Sequence, residues 1–159
     1  MTNRTTVPET AQAVVEALRR HGRTVVSVQG RSMYPALRNG ERVLVSPIAY
    51  DELVVGDVIV FHDGQGLLCH RLIRKANHRL YMKGDTNLWA DPPVVWSQAL
   101  GRVTSTVDHD LRLRRLDTPR QQRRAVLLAH ASYLVAFYFH FLHFIGRCRW
   151  WQHGIEWKE

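Results

Sequence analysis

Asp57-Val58-Ile59-Val60-Phe61-His62, then Asp63-Gly64-Gln65-Gly66, then Leu67-Leu68-Cys69-His70-Arg71-Leu72-Ile73-Arg74: residues 57 to 74 are two short apolar runs joined by four turn-forming residues. Such a pattern predicts a β-hairpin. The same punctuation continues in both directions. Runs rich in Val, Ile and Leu fill residues 23 to 116, broken by Asn39-Gly40, Val55-Gly56-Asp57 and Asp91-Pro92-Pro93. Candidate strands are Thr24 to Gln29, Arg42 to Ser46, Asp57 to His62, Leu67 to Arg74, Arg79 to Lys83, Gln98 to Val107 and Leu111 to Leu116. No helix of useful length fits between them. A doubly wound parallel sheet is therefore disfavoured, and the fold class is mainly β.

Outside this region the pattern changes twice. Within residues 1 to 22, Thr6-Val7-Pro8-Glu9 offers a capping box, and Val7, Ala11, Val14, Val15 and Leu18 follow at helical spacing up to Gly22. This predicts one amphipathic helix. Its charges, Glu9, Glu16, Arg19 and Arg20, suit neither a signal-peptide core nor a membrane span. The third segment, 117 to 159, opens with Asp117-Thr118-Pro119 and three arginines. It then runs from Ala125 to Gly146 for 22 residues without one Asp, Glu, Lys or Arg. Nine of the fifteen aromatic residues lie between Tyr133 and Trp157, so an apolar, aromatic C-terminal helix is expected there.

Composition bounds the function. A chain of 159 residues fits one domain, and 45% apolar residues give it enough to bury, which excludes a disordered basic protein. Two cysteines, Cys69 and Cys148, allow at most one bridge and exclude a disulfide scaffold. The basic side chains number 22 against 14 acidic, a net charge of +8, and 19 of the 22 are Arg. That sign points to nucleic acid or an anionic membrane. The basic run from Leu111 to Arg124 has no interleaved aromatic residues, so no nucleic-acid partner is expected. His130, His140, His143 and Cys148 lack further donors at ligand spacing, and neither metal nor cofactor is expected.

The residues that carry chemistry sit in the β region. Gly30-Arg31-Ser32-Met33-Tyr34-Pro35 follows a candidate strand, where a turn exposes the Ser32 hydroxyl and aims its own N–H at the same point. His70 lies in a later strand, and Asp85 and Asp91 follow it. The order Ser, His, Asp supplies a nucleophile, a base that accepts its proton near neutral pH, and an acid that holds the imidazole tautomer. Which of the two Asp residues faces His70 stays open. Cys69, next to His70 in the strand, should point to the opposite face.

Five pieces in one order then resemble the signal peptidase I superfamily of serine proteases. They are Gly30 to Pro35, Gly56 to Phe61, His70 to Ile73, Lys83 to Asn87 with Asp91 after it, and Leu100 to Val103. The superfamily has a Ser-Lys form and a Ser-His-Asp form, the latter in endoplasmic-reticulum and archaeal signal peptidases. His70 at the base position matches the second form. Of the three lysines, Lys83 stands in an expected turn two residues from Asp85, a setting that favours its charged form and disfavours a lysine base. The resemblance implies Ser32 as nucleophile, His70 as general base and acid, Asp91 as orienting carboxylate and Asp85 as a second, bracing acid. It also implies an oxyanion hole built on the Ser32 N–H. Position 30, where some members carry a hydroxyl donor, is Gly. The implied activity is endopeptidase cleavage of an extended leader or precursor peptide. The alternative is an inactive relative that binds such a peptide on the same β surface.

The collar of charge orients the third segment. As a helix, residues 125 to 146 would reach about 33 Å, enough for a bilayer core. Arg112, Arg114, Arg115, Arg120, Arg123 and Arg124 precede the stretch, whereas Arg147, Arg149 and Lys158 follow it. This distribution places the N-terminal side in the cytoplasm. Membrane contact through residues 125 to 151, with the active site on the cytoplasmic face, is expected; the alternative is a soluble cytoplasmic protein with that helix packed on the β domain. The chain should then stay with carbonate-washed membranes and resist protease added from outside the cell. Digestion of residues 23 to 116 by external protease would overturn that orientation.

Overall fold

The computed structural model describes residues 9–107 and 113–116, together with single positions 127, 131 and 138. The elements are α1 (Glu9–His21), β1 (Thr24–Ser27), β2 (Arg42–Ser46), β3 (Val58–His62), β4 (Leu67–Ala76), β5 (Arg79–Lys83), β6 (Val94–Val95), β7 (Ala99–Val107) and β8 (Leu113–Arg115), with a 3₁₀ turn over Trp96–Gln98. The strands form one sheet in the order β1-β2-β7-β3-β4-β5-β6, with β8 paired on β7. All of these pairings are antiparallel. The protein is mainly β, as its sequence predicts.

The five residues of β3 are all buried, so both of its faces must be covered. Alternation sends Val58 and Val60 one way and Ile59 and Phe61 the other. Val58 and Val60 join Val28, Met33, Leu37, Val43, Val45 and Val103. Ile59 and Phe61 join Leu53, Leu72, Leu80, Met82 and Val94. One sheet thus serves two cores, which requires it to curl around both. Register shifts between Leu44 and Val45, Val60 and Phe61, and Leu72 and Arg74 supply the local bends.

Observed bounds differ little from those expected. β2 and β5 coincide with their predicted runs, β3 and β7 each begin one residue later, and β4 extends two residues further, to Ala76. β1 ends at Ser27, two residues early. Its exit is nonetheless held, because the Val28 N–H donates to the Glu41 carbonyl at 2.8 Å and the Gly40 N–H to the Val28 carbonyl at 2.9 Å. β6, only two residues long after Pro92-Pro93, carries no readable periodicity and was not anticipated. β8 occupies 113–115 of the run expected over 111–116, whose first two residues lie outside the described ones.

α1 begins with Glu9 and ends with Arg19, Arg20 and His21, charges that oppose the partial charges at its two ends. It buries Ala11 and Leu18. The Gly22 N–H returns to the Leu18 carbonyl at 2.9 Å, closing the last turn. The capping box expected at Thr6 falls outside the described residues, as does the C-terminal helix expected over 125 to 146 apart from the single positions 127, 131 and 138, which are helical. Among the described residues, no helix is long and apolar enough to cross a membrane.

Phe61 is the largest fully buried side chain of the second core. Phe61→Ala should lower unfolding stability by about 3 to 5 kcal/mol, read from urea melts with an unchanged denaturant slope.

Candidate active site

The Ser32 turn is built by its neighbours. Gly30 adopts φ 89°, a left-handed conformation that side chains avoid, and its N–H donates to Asn39 Oδ1 at 2.9 Å. Arg31 and Met33 accept from the Tyr34 and Leu37 N–H groups, at 3.0 and 2.9 Å. Met33 and Leu37, 2% and 0% exposed, pin the turn to the first core. The missing hydroxyl at position 30 therefore has a backbone cause: the chain turns there in a way that a serine would resist.

A second segment, residues 84 to 91, closes on this turn. The Thr86 N–H donates to the Ser32 carbonyl at 2.9 Å, and its hydroxyl donates to the Arg31 and Ser32 carbonyls at 3.1 and 3.2 Å. A Cβ on Gly84 would stand 2.9 Å from the Ser32 Cβ and 2.8 Å from the Asn87 amide nitrogen. Only glycine allows the two segments to meet so closely. The Asp91 N–H donates to the Met82 carbonyl at 2.9 Å, which brings the far end of the segment back onto β5.

His70 stands in β4 opposite Ile59, with its ring tilted 6.1 Å from that of Phe61. Its Nε2 is 3.0 Å from Ser32 Oγ, and its Nδ1 is 2.6 Å from Asp91 Oδ2. The carboxylate can only accept, which assigns the proton to Nδ1 and leaves Nε2 free to receive the serine hydroxyl. The His70 and Asp91 side chains are 7% and 17% exposed, so water competes little for either bond.

Asp85 faces a different partner. Its two oxygens accept from Arg71 Nε and Nη2, both at 2.7 Å, and Arg71 Nη1 donates to the Gly56 carbonyl at 2.8 Å. Both side chains are buried. Asp91, not Asp85, meets the imidazole, and Asp85 holds the segment in place through Arg71. Arg71, next to His70 in β4, is a site residue that the sequence-based expectations leave without a role. Its signal was available, since a buried Arg needs a carboxylate and Asp85 is the first acid after His70 in the chain.

Lys83 requires a correction. It is the last residue of β5, not part of a turn, and it is fully buried. Burial lowers its pKa against the pull of Asp85 and Asp91, so the charge argument against a lysine base inverts in direction. What favours His70 is geometry: its Nε2 is the ring nitrogen beside Ser32 Oγ. Cys69 packs against the first core, and burial pushes its thiol up to about 12, which leaves no thiolate to act as nucleophile. Among the described residues no group of three His, Cys, Asp or Glu gathers at metal-binding distances, and His130, His140, His143 and Cys148 lie outside them.

Ser32 and His70 line a cleft of about 300 Å³. It is lined by Val26 and Ser27 of β1, by Val28 and Gln29 after it, by Leu67 to Cys69 of β4, and by Val60 and Thr10. The family model of Peptidase S24-like proteins matches residues 4–98. The chain belongs to the Peptidase S24-like family. No curated protein matches it. Membership agrees with a serine-peptidase type of fold, and all of the residues just described, from Ser32 to Asp91, fall within the matched span.

Removing one partner of the buried Arg71–Asp85 pair strands the other's charge. Arg71→Met should destabilise the fold by about 3 to 5 kcal/mol, whereas the double variant Arg71→Met/Asp85→Leu should recover most of that loss in the same thermal or urea melts. An additive double variant would mean that the pair is not coupled.

Proposed function

We propose that this chain is a serine endopeptidase of the signal-peptidase kind, which cuts a leader or precursor peptide through a Ser32 acyl-enzyme. The observation that carries the reading is the chain of two hydrogen bonds, Ser32 Oγ to His70 Nε2 at 3.0 Å and His70 Nδ1 to Asp91 Oδ2 at 2.6 Å. An extended peptide lies in the cleft beside Val26 to Gln29, where its backbone meets strand-like backbone and its apolar side chain meets Val26, Val28 and Val60. Small side chains before the cut accord with the signal-peptidase resemblance.

The steps follow from the residues. Ser32 Oγ attacks the scissile carbonyl carbon while its proton passes to His70 Nε2. Asp91 holds the ring and stabilises the imidazolium that forms. The negative charge on the carbonyl oxygen falls to the Ser32 N–H, without help from a hydroxyl at position 30. His70 then hands its proton to the leaving amine, which departs and leaves an ester on Ser32. Water attacks that ester with His70 again taking the proton, and the acid product and free serine result. One oxyanion donor fewer is worth about 100-fold to 1,000-fold in rate, so turnover is slow unless the substrate supplies a donor. Residues 125 to 151 are proposed to hold the chain at a membrane with this site on the cytoplasmic face.

An inactive peptide-binding relative would tolerate loss of the hydroxyl. The full chain should cut synthetic precursor peptides with small residues before the scissile bond, while Ser32→Ala and His70→Ala should not. Asp91→Asn should fall by up to about 10⁴-fold, because the amide holds the wrong tautomer. Equal cleavage by wild type, Ser32→Ala and His70→Ala would refute the reading.

A further inference from the structure

The Ser32 turn belongs to a longer loop, whose two ends meet where Val28 exchanges backbone hydrogen bonds with Gly40 and Glu41. Two side chains from elsewhere in the chain grip this loop. Thr86 reaches one flank, at the carbonyls of Arg31 and Ser32. Arg114 of β8 reaches the other: its Nη2 donates to the Ala36 carbonyl at 2.7 Å and stands 3.5 Å from Glu41 Oε1. Glu41 Oε2 in turn accepts from the Arg38 N–H at 2.8 Å, so one carboxylate serves both the loop and its clamp. The Arg114 Nε donates to Thr106 Oγ1 at 3.3 Å, which steadies the guanidinium against β7. Sheet register explains the reach. Thr106 pairs with Val43 of β2 on one side and with Arg114 on the other, so all three side chains share the face of the first core. Leu116, two residues on, packs against that core, and its N–H donates to the Thr104 carbonyl at 2.7 Å. Met33 and Leu37 pin the Ser32 turn to the same core.

We propose that Arg114 is a positioning residue, which holds the far flank of the Ser32 turn and so keeps the Ser32 hydroxyl in register with His70. This rests on the Ser32–His70–Asp91 reading above. Ala36 lies four residues after Ser32, and the Leu37 N–H beside it closes the turn onto the Met33 carbonyl at 2.9 Å. Packing of Met33 and Leu37 is non-directional, whereas a hydrogen bond to a carbonyl fixes the orientation of its peptide group. Thr86 supplies that restraint at Arg31 and Ser32, and Arg114 supplies it at Ala36. The nucleophile is thus held on both sides. The Arg114 side chain is 51% exposed, so water can replace much of what its removal takes away, and the stability of the whole fold depends little on it. Reaction depends on it more, because a misplacement of about 1 Å costs on the order of 100-fold in rate.

The test compares the full wild-type chain with Arg114→Met and Arg114→Lys. Cleavage of a synthetic precursor peptide gives kcat and KM, amide hydrogen exchange followed by NMR reads the turn itself, and urea melts read the whole fold. In Arg114→Met, kcat should fall about 10-fold to 100-fold while KM changes by less than about threefold, since neither Arg114 nor Ala36 lines the cleft. Exchange at the Leu37 N–H should quicken about tenfold, with the Leu72 N–H, which donates to the Asp57 carbonyl, left as in the wild type. The urea midpoint should move by less than about 0.5 M. Arg114→Lys keeps a donor for the Ala36 carbonyl and should recover part of the lost kcat. A merely structural contribution would lower the midpoint and quicken both amides together. That outcome would overturn the proposal, as would an unchanged kcat or Leu37 exchange in Arg114→Met, or an Arg114→Lys chain no faster than Arg114→Met. Should Arg114→Met fail to fold, Thr106→Val, which takes away the acceptor of the Arg114 Nε, is judged by the same kcat and exchange criteria. Amide exchange needs no activity, so a failure of the peptidase reading shows itself separately, as cleavage undiminished in Ser32→Ala.

Discussion

The bidentate pair of Arg71 with Asp85 is the constraint on which the rest of the site depends. A guanidinium this deeply buried must fill its donor positions, and it does so with both oxygens of one carboxylate and the Gly56 carbonyl. Three parts of the chain are thereby tied: the turn before β3, the middle of β4 and the start of the segment after β5. Around the same place the Gly56 N–H donates to the Leu72 carbonyl and the Leu72 N–H to the Asp57 carbonyl, both at 2.8 Å. Asp57 in turn caps its own turn by accepting from the Val54 N–H at 3.0 Å. Burial raises the pKa of this carboxyl, against the lowering effects of that N–H and of Arg102. Buried ion pairs add little net stability over an apolar filling, but they tolerate few alternative arrangements. Here the arrangement that survives is the one that sets Asp91 against His70.

The two-sided burial of β3 does the corresponding work for the other half of the site. Its Val58 and Val60 support the first core, on which Met33 and Leu37 anchor the serine turn. Its Phe61 supports the second core and stands beside the His70 ring. The Ser32 turn and the His70 ring are thus braced against the two cores that meet at β3.

Much of this was legible in the sequence, for reasons that differ by residue. β2 and β5 were read to their ends because branched and apolar runs stop there at Pro47 and Gly84. Ser32, His70 and Asp91 could be named from residue type and order, since few side chains perform each task. The choice between Asp85 and Asp91 could not be made, because both stand on the same segment and only tertiary contact assigns one to Arg71. Lys83 was misread for a related reason. Its neighbours Gly84 and Asp85 signal a turn, and whether the residue before a turn is buried depends on cross-strand packing that one-dimensional spacing does not record. β6 left no trace because two residues have no period.

The distances along the chain between the paired side chains, 38 residues from Ser32 to His70 and 21 from His70 to Asp91, have a consequence for the life of the polypeptide. Contacts so far apart in sequence form late, after the sheet has closed. Until then Ser32 is an ordinary alcohol, with neither an imidazole to take its proton nor a shaped cleft to receive a peptide. On the proposed reading, a chain still emerging from synthesis, or one that has lost its fold, is therefore harmless to its neighbours. On that reading, its hydrolytic potential is switched on by completion of the fold and disappears with it, a safeguard written into topology.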